Sequence, residues 1–186
     1  MEAVATLERD AQLMLSVREG DDGSFALLLN HHRRPVVHFL FRMVQNQAVS
    51  EELAQEVFLR VYRSRASYEP TAKFTTWLYR IATHVALNSI RDRRHERGQE
   101  SLEEEVREGV SRQIADRRPT VEHRMVSDSR LAEVRKAIHE LPEKQRPAVL
   151  LHKYQELGYE QISKDLWISE SELKSGLFRA WEQLVT

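Results

Sequence analysis

The chain has 186 residues, 41% hydrophobic and 31% charged, with a formal net charge of −1 and no cysteine. That apolar content suffices for one domain or two small ones; the missing cysteines exclude a disulfide framework and a thiolate metal site. The near-zero charge argues against a generally basic nucleic-acid binder. No stretch approaches the ~20 apolar residues of a membrane span, and the opening MEAVATLERDAQ lacks the basic-then-apolar order of a secretory leader. A cytoplasmic protein without membrane insertion is expected.

Glycine and proline are scarce, apolar residues recur at helical spacing, and no segment alternates with a period of two, so the predicted fold is all-α. In chain order the periodicity predicts helices over Leu7–Glu19, Ser24–Gln45, Ala48–Arg65, Phe74–Arg97, Val121–Glu140, Pro142–Gln155, Tyr159–Leu166 and Ser169–Val185. Between the fourth and fifth runs GQESLEEEVREGVSRQIADRRPT, Gly98–Thr120, which carries both signs of charge and few large apolar groups. It buries too little to offset its ordering entropy, so it is expected to be a flexible linker, with a weak helix possible around Leu102–Glu108. Two small helical domains follow, at 1–97 and 121–186, joined by 98–120.

The fourth helix, FTTWLYRIATHVALNSIRDRR, is the most informative. At 100° per residue, Phe74, Leu78, Ile81, Ala82 and Val85 form a core stripe, widened by Tyr79, Ala86 and Ile90. The remaining sector holds Trp77, Arg80, His84, Asn88 and Arg91, and basic residues concentrate from Lys73 to Arg97. Aromatic rings offer stacking platforms to unpaired bases, while Arg and Asn reach phosphates and base edges. Taken alone, the helix leaves a second reading open: Trp77 packed at the core edge, with the arginines as a solvated end that complements the macrodipole.

Farther on, YEQISKDLWISESELKSGLFRAWEQL reads as a helix, a tight turn and a longer helix, the spacing of a helix-turn-helix. Ser169 with Glu172 forms a capping box that fixes where the second helix starts. Upstream, Pro142 suits a first helical turn, Gly158 suits a C-terminal cap, and Pro147 is expected to delay or kink its helix.

Together these blocks resemble bacterial RNA polymerase sigma factors of the extracytoplasmic-function type of the sigma-70 family. EELAQEVFLRVYRS (Glu51–Ser64) resembles the helix that grips the polymerase clamp, and the resemblance gives Glu52, Gln55, Glu56, Phe58 and Leu59 as core-polymerase contacts. AKFTTWLYRIATHVALNSIRDRRH (Ala72–His95) resembles the helix that holds the melted promoter element. There the resemblance implies DNA contacts from Tyr68, Lys73, Phe74, Trp77, Arg80, His84 and Asn88, with Arg91, Arg93 and Arg94 on duplex phosphates. The loop SRASYEPTA, Ser64–Ala72, corresponds to the one that pockets a flipped base, and the linker acids Glu103, Glu104, Glu105 and Glu108 to a segment lying in the RNA exit path. In the helix-turn-helix, Ser169, Ser171, Lys174, Ser175 and Arg179 are the contact candidates for the upstream element.

The resemblance thus implies a promoter-specificity subunit that responds to stress or another signal under anti-sigma control, with core RNA polymerase, promoter DNA (duplex and melted strand) and an anti-sigma factor as partners, and no cofactor. It departs from the family pattern at Trp167, where glycine is usual, at Gly176, where a basic residue is usual, and at Glu170 and Glu172, which repel phosphates. These departures keep open a sigma-like decoy that binds an anti-sigma protein without productive DNA binding. An ordinary helix-turn-helix repressor would leave Glu51–Ser64 unexplained. No catalytic motif is present: His31, His32, His38, His84 and His152 form no HExxH pattern, HERGQ at His95 lacks the second His, and His31 and His32 read as surface polar groups, so neither an enzyme nor a metal site is expected.

Overall fold

Short polar side chains set where the early helices begin. Asp21 accepts from the backbone N–H of Gly23 at 2.9 Å and of Ser24 at 3.3 Å, and Asn46 accepts from Val49 at 3.1 Å. These caps start α2 (Asp22–Val44) and α3 (Gln47–Arg63), which follow α1 (Arg9–Arg18). A 3₁₀ turn at Arg65–Ser67 leads to α4 (Phe74–Glu103). Then come α5 (Gln145–Gln155), α6 (Tyr159–Leu166) and α7 (Glu170–Val185). The computed structural model describes residues 8–103, 133–134, 136–142 and 145–185, and all regular structure among them is helical.

The helix ends differ from expectation in instructive ways. α4 does not stop at Arg97 but continues through Gly98 to Glu103. A glycine inside a helix costs up to about 1 kcal/mol relative to alanine, and the good helix formers Gln99, Glu100, Leu102 and Glu103 carry the backbone past it. The expected linker therefore gives its first residues to α4; Glu104, Glu105, Glu108 and most of the helix expected over Val121–Glu140 lie outside the described residues.

α5 begins later than Pro142, whose carbonyl accepts from the N–H groups of Gln145 and Arg146 at 2.9 and 3.1 Å. Pro147 thus falls in the first turn, where its missing N–H has no helical partner to lose. Gly158 is not the cap of α5. Glu156 takes the left-handed turn at φ 53°, and Gly158, at φ −71° and ψ 158°, leads into α6. Trp167 does occupy the glycine-type position after α6, at φ 57° and ψ 43°. That conformation costs a bulky residue about 1–2 kcal/mol, and an indole 84% exposed recovers little of it by packing. The expected cap of α7 is present, Ser169 Oγ accepting from Glu172 N–H at 3.1 Å.

α1, α2 and α3 pack with α4 around Met14, Leu28, Leu40, Met43, Val57, Leu78 and Ala82. α5, α6 and α7 bury Leu150, Leu151, Ile162, Leu173, Leu177 and Ala180. α5 also touches α2 and α4, so the two halves meet. Arg146 is the polar hinge of that meeting. Nearly buried, it donates to the carbonyls of Met43 at 2.8 Å, Ile138 at 3.2 Å and Leu141 at 3.3 Å, and also to that of His139. Its cation serves the unsatisfied C-terminal carbonyls of α2 and of the helical residues 136–140 together.

Replacing Arg146 by Met keeps the bulk and strands these carbonyls. The expected loss is about 3 kcal/mol, read as a lower denaturant midpoint by tryptophan fluorescence; an unchanged midpoint would show the carbonyls find water instead.

Candidate nucleic-acid and partner interfaces

α4 buries the stripe its sequence predicts: Phe74, Leu78, Tyr79, Ala82, Val85 and Ala86 are buried, with Ile81 and Ile90 half-buried beside them. The other sector stays at the surface. Arg80, Asn88, Arg91 and Arg94 are exposed, and Trp77, His84 and Arg93 are half-buried. Lys73, just before the helix, is exposed.

The first turn of α4 is held by a long-range cap, Glu8 Oε2 accepting from Phe74 N–H at 3.2 Å. Arg18 Nη1 fixes the preceding loop by donating to the Tyr68 carbonyl at 3.2 Å. Under that loop Tyr68, Phe74 and Trp77 form an aromatic cluster, with Tyr68–Trp77 centroids 4.9 Å apart and Phe74–Trp77 centroids 5.9 Å apart. Burial corrects two expected contact residues. Tyr68 and Phe74 present no ring to a ligand here, because they form the floor on which Trp77 rests.

Arg80 and His84 are already engaged. Arg80 Nε donates to Asp165 Oδ1 at 2.6 Å, and His84 Nε2 donates to the Asp165 carbonyl at 3.1 Å. Asp165 belongs to α6, so the middle of the polar face of α4 is covered by the helix-turn-helix. The Asp165 side chain is only 2% exposed and that of Arg80 44%. Gln161 donates to the same Oδ1 at 3.0 Å, while Oδ2 has no partner among the described residues. No local pattern marks this pairing: Asp165 reads as an ordinary polar position, and only the fold brings it to Arg80.

A groove of about 540 Å³ runs between α2 and α3, lined by Phe25, Leu29, Ala54, Gln55, Phe58, Leu59 and Tyr62 among others. Of the expected polymerase contacts, Glu52, Gln55 and Leu59 are exposed, and Glu56 is tied to Arg60 at 2.6 Å. Phe58 is buried and so forms a wall of the groove rather than a protruding contact. The α2 half of the groove was missed, although Phe25 and Leu29, four residues apart, mark a second apolar edge on that helix.

On the helix-turn-helix, Ser169, Ser171, Lys174, Ser175 and Arg179 are all exposed. Lys174 pairs with Glu170 at 3.3 Å, and Arg179 donates to the Ser175 carbonyl at 3.3 Å. Gly176 faces inward instead: a Cβ there would meet Gln145 Cγ of α5 at 3.2 Å. Position 176 therefore faces Gln145 of α5, and a larger side chain there would have to displace that side chain. His31 is exposed as expected, but His32 is not a surface group; it is buried, with Nε2 2.8 Å from Asp10 Oδ2.

Comparison with known proteins adds to this geometry. Residues 28–96 match the family model for sigma-70 region 2, and residues 131–184 the one for sigma-70 region 4. The chain is 32% identical over 182 residues to the RNA polymerase sigma-H factor of Pseudomonas aeruginosa, covering 96% of this chain and 93% of that one. It is 31% identical over 172 residues to the Bacillus subtilis ECF RNA polymerase sigma factor SigW, covering 90% of each. In fold it is similar to CnrH, solved with the cytosolic domain of CnrY (TM-score 0.66, 15% identity, 96% of each chain). It is likewise similar to the Bartonella quintana sigma factor RpoE, solved with the anti-sigma factor NepR (TM-score 0.61, 20% identity, 86% of this chain and 93% of that one).

The cover over α4 makes a prediction. A charge-assisted contact exposed on one side is worth about 1–2 kcal/mol, so Asp165→Ala should loosen the two halves and enlarge the radius of gyration by small-angle scattering. An unchanged radius with an unchanged melting profile would mean the contact holds nothing together.

Proposed function

This chain belongs to the extracytoplasmic-function type of the sigma-70 family of bacterial RNA polymerase sigma factors, and from that membership we propose how its surfaces divide the work of starting transcription. The α2–α3 groove and the exposed Glu52, Gln55 and Leu59 receive the core polymerase clamp, with Glu56 and the Phe58 wall beside them. The polar face of α4 holds the melted promoter strand: Trp77 stacks a base, Arg80, His84 and Asn88 contact base edges and phosphates, and Lys73, Arg91, Arg93 and Arg94 follow the backbone. Tyr68 and Phe74 keep the Trp77 ring in place. Ser169, Ser171, Lys174, Ser175 and Arg179 meet the upstream duplex.

The observation that carries this reading is the two-sided character of α4, one sector buried in a core and the other offering an indole, guanidiniums and an amide at the surface. Flipping a base out of the stack costs a few kcal/mol, and stacking on an aromatic side chain returns about 1–3 kcal/mol per base. Cationic neighbours supply phosphate contacts that make up the rest.

In the free chain, Asp165 stands on Arg80 as a carboxylate where the strand would bring a phosphate. The halves built on α1–α4 and on α5–α7 would then separate when polymerase and promoter bind. An anti-sigma factor, of the kind found with the similarly folded RpoE, would act by keeping this face covered; a stress or other signal would release it. The decoy reading has its own support in Glu170, which neutralises Lys174 at the start of α7. Transcription separates the two.

Core polymerase reconstituted with this chain on a promoter library should give promoter-dependent run-off transcripts. Trp77→Ala should cut open-complex formation by about tenfold or more, from the stacking energy of one base. Arg179→Ala should weaken binding with a salt slope reduced by about one. Failure to bind core enzyme at micromolar concentration would end the sigma reading; core binding without transcripts would favour the decoy.

A further inference from the structure

Adjacent residues on a helix point about 100° apart and do not face each other, yet the rings of His31 and His32 lie with centroids 4.8 Å apart and converge on one carboxylate. Asp10 of α1 places Oδ2 at 2.8 Å from His32 Nε2 and Oδ1 at 3.7 Å from His31 Nδ1. The three donor atoms all lie within 4.8 Å of one another. Zinc bound at about 2.0–2.2 Å to imidazole and carboxylate sets its ligands roughly 3.3 Å apart. Closing the set therefore needs His31 to swing inward and the Asp10–His32 pair to open slightly. His31 has the freedom, its side chain being 72% exposed, while Asp10 and His32 are held almost buried.

The surroundings favour a cation. The Tyr68 hydroxyl is buried without a partner among the described residues, and burial, then the negative charges of Glu8 and Asp10, push its pKa above the ordinary phenol value and keep it neutral. Two carboxylates thus act on a buried phenol that has no partner of its own among the described residues. His32 also packs at 5.3 Å from the Phe74 ring, next to the aromatic floor of α4. Two imidazoles and one carboxylate are a donor set that suits borderline divalent ions, with further positions open to water on the His31 side.

We propose that Asp10, His31 and His32 form a divalent-cation site for Zn²⁺ or Ni²⁺ that staples α1 to α2 beside the loop carrying Tyr68. An ion there links the first helix to the base of the melted-strand surface, since Glu8, two residues before Asp10, already caps α4.

The test uses the full chain without an affinity tag, titrated calorimetrically with ZnCl₂ and separately with NiCl₂, alongside thermal unfolding with and without the metal. The expected result is one ion per chain, a raised unfolding temperature with metal, and binding weakened about tenfold or more by His31→Ala. Because His31 is exposed, that variant should unfold at the wild-type temperature when metal is absent, which separates lost ligation from lost folding. His38→Ala, an exposed histidine on the same helix, should bind as the wild type does. Equal binding by the wild type and His31→Ala, or no metal-dependent shift in the wild type, would overturn the site and leave Asp10–His32 as a helix-tying hydrogen bond only.

Discussion

The structure turns on a demand made by α4. A helix that must bury Phe74, Leu78, Ala82 and Val85 on one side cannot hide Arg80, His84 and Asn88 on the other. A guanidinium at the edge of a core is stable only with an anion or water to meet it. The chain supplies that anion from its own second half: Asp165, nearly excluded from solvent, sits 2.6 Å from Arg80 Nε. The polar face thus meets a negative charge supplied by the chain itself.

This arrangement joins folding to the work proposed for the protein. The polar contacts between the halves include Arg80 and His84 with Asp165, Arg146 with the Met43 carbonyl and Tyr79 with Gln155, and the buried apolar residues of both halves join in one cluster. On the reading proposed above, a large partner would have to replace both these polar contacts and the apolar contacts between the halves. The aromatic floor is anchored from the N-terminal end, Phe74 by Glu8, the residue before α1, and Tyr68 by Arg18 of α1, rather than by α6. The support under Trp77 and the contact that covers Arg80 thus come from different parts of the chain.

Most of the fold could be read from the residues because it rests on local rules. Helical period gave α2, α3, α6 and α7 to within a few residues, and the Ser169–Glu172 box located the start of α7. The errors arose where two local signals competed. Gly158 lost its capping role to Glu156, and Gly98 failed to stop α4 because its neighbours favour helix. The candidate faces were legible as patterns on single helices. What could not be read were the long-range pairs, Asp165 with Arg80, Asp10 with His32 and Gly176 with Gln145, since no periodicity tells which distant residue the fold will bring alongside.

The absence of cysteine makes the central claim directly measurable. Cysteines introduced at the exposed positions Glu96 and Ser171 can carry spin labels, and pulsed electron resonance then reports the separation of α4 and α7. If the polar face of α4 exchanges its internal carboxylate for promoter DNA, the free chain gives one narrow distance distribution that shifts to a longer distance when core polymerase and promoter are added. A broad distribution in the free chain, or a distance that does not lengthen in the complete complex, contradicts that exchange.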